Sequence, residues 1–210
     1  MKKDTLTSLL FSFFLLSAGV LFSQSRFVIK DNAYVVLNTA ATTDEVFVVL
    51  ANGNANALAT SGTGGNIITK HEKNQVKWNI GTNTGTYNIP FTTATTATNA
   101  SESKIPASVN ITGAGTGSGN IKFSSYTDNN SSDNYKVSDY KPSDVTNMDN
   151  GDATDNSANV VDRFWIIDAN GYTDKPDATL SFTYDDDEVT ATNNNIAELN
   201  IFPQRWNSTA

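Results

Sequence analysis

This 210-residue chain has no cysteine, a single histidine, and 14 basic residues against 22 acidic ones. Each shortage removes a class of protein. Without Cys no disulfide can staple the chain, so outside a cell it must be held by apolar burial and hydrogen bonding. With His71 alone and no thiolate, the common zinc sites lack ligands. A Ser-His-Asp arrangement would have to use His71, yet no Ser sits in a G-x-S-x-G elbow, and GTGSG around Ser118 misses that pattern. His71-Glu72 is a fragment of H-E-x-x-H in which the second His position holds Gln75, so His71 reads as a surface-loop histidine. The formal charge of −8 and pI near 4.5 exclude nucleic acid and anionic lipid as partners, because phosphate binding needs clustered Lys and Arg.

Helical periodicity is also missing. The nearest approach is Asn195 with Glu198 three residues on, a capping-box spacing that supports one turn. The one long apolar run lies at the start, in MKKDTLTSLLFSFFLLSAGVLFSQS. Lys2 and Lys3 precede an apolar stretch from Leu9 to Phe22, shorter than the about 20 residues of a membrane span. Ser23 and Ser25 meet the small-x-small cleavage rule, and a cut before Gln24 fits as well. No Cys stands there to take a lipid. Residues 1–25 are therefore expected to be an export signal, with a secreted or outer-surface product and no transmembrane span after its removal. The remaining 185 residues suffice for one sizeable domain or two small ones.

What is present is strand after strand. RFVI, YVVL, VFVVL, NIIT, VKWNI, TYNIPF, SVNIT, NIKFSSY, RFWII and TLSFTY are separated by Gly, Asn, Asp and Thr, which predicts an all-β chain. Residues 26–74 hold short, continuously apolar runs, the pattern of strands buried on both faces, as in stacked rungs or a central sheet. From residue 75 onward the runs alternate. Val76, Trp78 and Ile80 share one face, as do Tyr87, Ile89 and Phe91, with GTNTG between them as a hairpin signal. Residues 75–210 are expected to form a β-sandwich, interrupted by a Thr-rich loop at 92–103 and an Asp/Asn-rich loop at 127–159. No clean internal repeat is visible. The end at IFPQRWNSTA is expected to continue into a longer chain.

Carboxylates are the chemistry left to consider. Asp185, Asp187 and Glu188 in the run DDDE, with Asp149 and Asp152 in MDNGDATD, are candidate oxygen ligands for calcium. Neither stretch follows the D-x-[DN]-x-[DN]-G loop, and acids at a strand end are ordinarily solvated, so no cofactor is assigned. A glycosidase pair needs two carboxyls facing each other across a cleft, which spacing alone does not reveal. GAGTGSG lacks the G-x-G-x-x-G spacing and leads into a strand, so it is not a phosphate loop. The single run TTATTAT lacks the repetition of an ice-binding rank. Trp78, Trp165 and Trp206 are candidate sugar-stacking platforms, the first two expected in the core and Trp165 and Trp206 kept as ligand candidates.

NQVKWNIGTNTGTYNIPF, VNITGAGTGSGNIKFSSY and VDRFWIID…KPDATLSFTYDDDE with QRWN after it resemble large secreted proteins of Gram-negative bacteria that use the type IX secretion system. RFVIKDNAYVVLN fits the same N-terminal context. The resemblance spans about Gln75 to Asn207 and carries no catalytic residues. It implies a surface-exposed or released, adhesin-like product, usually ending in a sorting domain that is not seen here. The expectation is a non-catalytic structural or adhesion module of a larger protein, its partner a cell-surface protein or glycan. The alternative is a carbohydrate-binding module attached to a secreted hydrolase.

Overall fold

The computed structural model describes residues 25–31, 33–38, 44–61, 66–92, 104–126, 161, 163–190, 201 and 203. They form eleven strands: β1 Phe27–Lys30, β2 Tyr34–Leu37, β3 Val46–Leu50, β4 Leu58–Ser61, β5 Asn66–Thr69, β6 Asn74–Trp78, β7 Gly85–Ile89, β8 Ala107–Gly113, β9 Asn120–Tyr126, β10 Phe164–Asn170 and β11 Asp177–Phe182. One helical turn, α1 Asp187–Thr190, follows. The chain is all-β, as its Val-, Ile- and aromatic-rich runs require. Asn195 and Glu198 lie outside the described residues.

The first six strands stack in parallel. β1 lies on β4, β2 on β5 and β3 on β6, placing Phe27 beside Leu58, Tyr34 beside Asn66 and Val46 beside Asn74. The offsets of 31, 32 and 28 residues make two successive rungs of a short parallel β-helix. This repeat escapes sequence comparison because stacked positions carry different residues and the offset drifts. Alternate side chains point inward: Ile29, Leu37 and Leu50 from the first rung, Ile67, Val76 and Trp78 from the second, all within one core. β5 is buried along its whole length, as the NIIT run implies. The first rung differs from the expectation of two-faced burial. Val28, Val36 and Val49, one on each strand, are 44%, 44% and 54% exposed. A β-branched residue suits a strand whether or not its outer face is covered, so an unbroken apolar run overstates burial.

β6 belongs to both parts of the molecule. It pairs in parallel with β3 and antiparallel with β9, giving a four-stranded sheet in the order β10-β9-β6-β3. A three-stranded sheet, β11-β8-β7, holds the other half of the sandwich. Trp78, Ile121 and Phe123 from the first sheet share a buried core with Tyr87, Val109 and Ile111 from the second. GTNTG is therefore not a hairpin. It carries the chain from one sheet to the other, and the two alternating faces that it joins look at each other across the core. The rings of Trp78 and Tyr87 meet edge to face at 4.9 Å.

The connections sort to two ends. At one end lie the three crossings between sheets, residues 79–84, 114–119 and 171–176. They are tied together by Gly81 N–H to Gly119 O at 2.9 Å, and by Thr116 N–H to Asp174 O and Thr173 N–H to Thr116 O, also 2.9 Å each. At the other end the chain leaves β7 and β9 for the Thr-rich and Asp/Asn-rich segments. Beyond Thr92, residues 93–103 lie outside the described residues, as do all of residues 127–159.

Candidate functional site

The stretch Val161–Glu188 supplies most of the residues that the sequence marks for chemistry. β10 alternates: Trp165, Ile167 and Ala169 pack on the core, while Phe164 and Ile166 face away. β10 and β11 are not neighbouring strands. Among the described strands each forms the edge of a different sheet, and they meet through their side chains, with Trp165 and Phe182 centroids 5.0 Å apart. Asn170-Gly171 makes the turn out of β10, Gly171 taking a φ of 72° that favours glycine. Trp165 is half-buried, and its Nε1 is shielded from water with no hydrogen-bond partner among the described residues. Trp78 is fully buried, its indole N–H donating to Asn52 O at 2.9 Å. Neither ring lies open as a sugar platform does. Trp206 lies outside the described residues.

The acidic run does not simply end a strand in water. β11 stops at Phe182, and the chain turns into α1 with Asp185 at its cap. Glu188 N–H donates to the backbone carbonyl of Asp185 at 3.0 Å, a turn bond, and Glu188 Oε2 accepts from Asp185 N–H at 3.2 Å, the Glu side-chain half of a capping box. The same carboxylate forms a two-pronged ion pair with Arg163, whose Nε donates to Oε1 and Oε2 at 2.8 and 2.9 Å. Arg163 Nη1 donates to Ser125 Oγ at 3.1 Å. Ser125 in turn receives a Thr69 Oγ1 bond at its carbonyl, 2.6 Å, and gives its N–H back to Thr69 Oγ1 at 2.9 Å. The side chains of Arg163 and Glu188 are only 1% and 10% exposed.

This clasp joins β5, β9, the start of β10 and α1. A buried guanidinium demands such a partner, because an unpaired buried charge is prohibitively costly. The isolated Arg in the apolar phrase VDRFWII was the signal for it, and sequence reasoning passed over it. Of the calcium candidates, Glu188 is thus committed to Arg163. Asp187 stands in α1 with its side chain outside the description, and Asp149 and Asp152 lie outside the described residues. No three His, Asp or Glu side chains among the described residues gather as a metal site. His71 sits in the turn between β5 and β6, accepting Lys73 N–H at Nδ1 over 3.3 Å and stacking near Tyr126, with ring centroids 6.3 Å apart.

The Gly-rich crossing has a packing role at the opposite end. Tyr172 lies flat on it. A Cβ built at Gly119 would fall 2.3 Å from the Tyr172 ring, and one at Gly115 would fall 2.7 Å from it. Only glycine permits that approach. Nearby, Tyr87 is fully buried and its hydroxyl donates to Gly53 O at 2.9 Å. Burial, with Tyr172 adding a smaller like-charge effect, pushes its phenol up to about 12, and burial raises Tyr172 as well. Trp78 and Tyr87 therefore both anchor to the NGNAN loop that connects β3 and β4.

A groove of about 300 Å³ lies beside β4, on the side away from β1. Leu58, Ala59 and Thr60 form one wall, and Pro90, Lys104 and Pro106 stand among the residues of the other. In the parallel ladder, Phe27 N–H bonds Ala57 O at 2.7 Å and Asp31 N–H bonds Ser61 O at 2.8 Å. The odd-numbered residues of β4 thus point their backbone groups at β1, and Leu58 and Thr60 point theirs the other way. β4 pairs with β1 alone among the described strands. β5 and β6 are covered at the same level, β5 by the bond from Ile67 N–H to Pro90 O at 2.8 Å and β6 by β9. Sequence reasoning did not single out this groove, since nothing in LATS distinguishes an edge from an interior strand.

Comparison of the chain with protein-family models, with curated proteins and with solved structures finds no match.

Proposed function

We propose that this chain is a non-catalytic, exported structural or adhesion module of a larger cell-surface or secreted protein, delivered by the signal at residues 1–25. The observation that carries this reading is the joint between two parallel rungs and an antiparallel sandwich through β6. Stacked rungs contact chiefly their neighbours, so such an element extends by adding rungs and presents long surfaces without needing a catalytic cleft. The marked polar groups serve the same end: Glu188 binds Arg163, while Trp78 and Tyr87 hold the NGNAN loop. No helix among the described residues is long and apolar enough to cross a membrane. The resemblance to type IX-secreted proteins supports the surface assignment.

The test is direct. Residues 26–210, purified and offered polysaccharide and peptide panels, are expected to show no turnover, and processing of the expressed full chain is expected to remove residues 1–25. Turnover above that of heat-denatured protein would sink the reading. The carbohydrate-binding alternative finds no open Trp78 or Trp165 to stand on, and rests on Trp206. Calcium stabilisation predicts a melting temperature that falls with EDTA and rises with added calcium. An unchanged value removes it.

A further inference from the structure

We propose that the outer face of the four-stranded sheet binds an acidic sugar of a glycan, its carboxylate lying between Lys77 and Lys122. Both side chains point away from the core, since their neighbours Val76, Trp78, Ile121 and Phe123 point into it. β6 and β9 pair in the register that sets Lys77 directly opposite Lys122. Like charges so placed repel, a cost that a bridging anion removes. Both ammonium groups also lie over one ring, that of Phe47, at 5.9 and 5.1 Å from its centroid. Among the described residues only Lys122 has a carboxylate within bridging distance, Glu45 at 3.6 Å. That acid is 51% exposed, and a surface bridge of this kind holds weakly. Asp168, opposite Lys122 on β10, accepts from the Asn170 amide instead.

The surroundings suit a sugar ring. Val49 stands beside Lys77 on β3 and is 54% exposed, an apolar patch for the C–H face of a pyranose. Asn79, exposed and about 6.8 Å beyond Lys77 along the chain, sets an amide that both donates to and accepts from hydroxyls. A peptide is offered less. β6 is bonded to β3 on one side and to β9 on the other, so this place has no backbone edge for strand addition. An isolated acidic sugar also suits better than a polyanion, which a chain of formal charge −8 repels. The proposal deepens the adhesion reading and rests on it for the presence of a glycan, yet the two fail separately. Turnover would sink adhesion and leave this site standing, and a chain that ignores acidic sugars remains a candidate adhesion module.

The experiment follows backbone amides of the isotopically labelled chain by NMR. The probes are methyl β-glucuronide, methyl β-glucoside, which lacks the carboxylate, and sodium acetate, which lacks the ring. The glucuronide is expected to shift the amide signals of Lys77, Asn79 and Lys122 and to saturate, less tightly as salt is raised. The glucoside and acetate are each expected to bind about tenfold more weakly. Lys77→Gln removes one of the two repelling charges. It is expected to leave the melting temperature unchanged or higher and to weaken the glucuronide by about tenfold. Glucuronide binding that survives Lys77→Gln, or shifts confined to other amides, overturns the proposal. So does acetate matching the glucuronide, which would assign the pair to carboxylates at large, those of acidic peptides included.

Discussion

The rungs and the sandwich are made from the same short strands of Val, Ile, Phe and Tyr, yet they are stabilised differently. In the rungs, β1 and β2 each pair with one parallel partner, and their outward valines stand in water. Order there comes from backbone stacking over a narrow core. In the sandwich, two sheets face each other and the crossings between them are bonded to one another at one end. Order there comes from side chains that reach across. The difference teaches where a substitution matters. The sandwich concentrates its cohesion in a few interlocking residues, and the rungs spread theirs along the ladder.

Trp78 stands in β6, the strand common to both, and provides the severest test of that contrast. Trp78→Ala is expected to cost about 3–5 kcal/mol, through a large cavity and the lost bond to Asn52. Urea unfolding should remain one transition shifted to lower denaturant. Two separated transitions would show that rungs and sandwich unfold independently. Arg163→Ala, at the clasp, is expected to cost about 3–5 kcal/mol by taking the ion-pair partner from the largely buried Glu188 carboxylate. Pairing it with Glu188→Ala should restore part of the lost melting temperature. If the double variant is no more stable than Arg163→Ala alone, the clasp is not where this end is held.

Smaller effects come from the crossings. Gly119→Ala is expected to cost about 1–3 kcal/mol because its methyl collides with the Tyr172 ring. A neutral result would show that the crossing yields where the core does not. Alkali should act on the same end. Tyr87 and Tyr172 have raised phenol pKa values in the fold, so their neutral forms contribute stability that is fully present below the unfolded value near 10 and is lost as pH rises through the folded values, about 12 for Tyr87. Thermal melts across that window, with phenolate absorbance recorded, should show stability falling and Tyr87→Phe falling less. Last, Val36→Thr on the first rung is expected to stay within about 0.5 kcal/mol, as an outward substitution should. A large loss there would show that another surface covers the rung.

Several elements were legible beforehand. Strand positions, the all-β class, the inward faces of β6 and β7 and the burial of Trp78 all follow from strand propensity and period-two patterning, which are local properties. Pairing was not legible. GTNTG looked like a hairpin because two alternating segments flank a turn, and the same pattern arises when the segments face each other from opposite sheets. The rung repeat stayed hidden because a parallel ladder bonds backbone to backbone and asks little of side-chain identity. The acidic run looked solvated because its partner Arg163 lies 25 residues earlier, beyond any local signal.

Composition and period thus determined by themselves that this chain folds as β-strands around an apolar, disulfide-free core, since strand propensity and burial act residue by residue. Only the tertiary structure decided which strands pair, that β6 belongs to two architectures, and that Glu188 answers Arg163. Those outcomes depend on contacts between residues far apart in the chain, and hydrogen-bond directionality and the cost of unpaired charge select among them only once the chain has closed on itself.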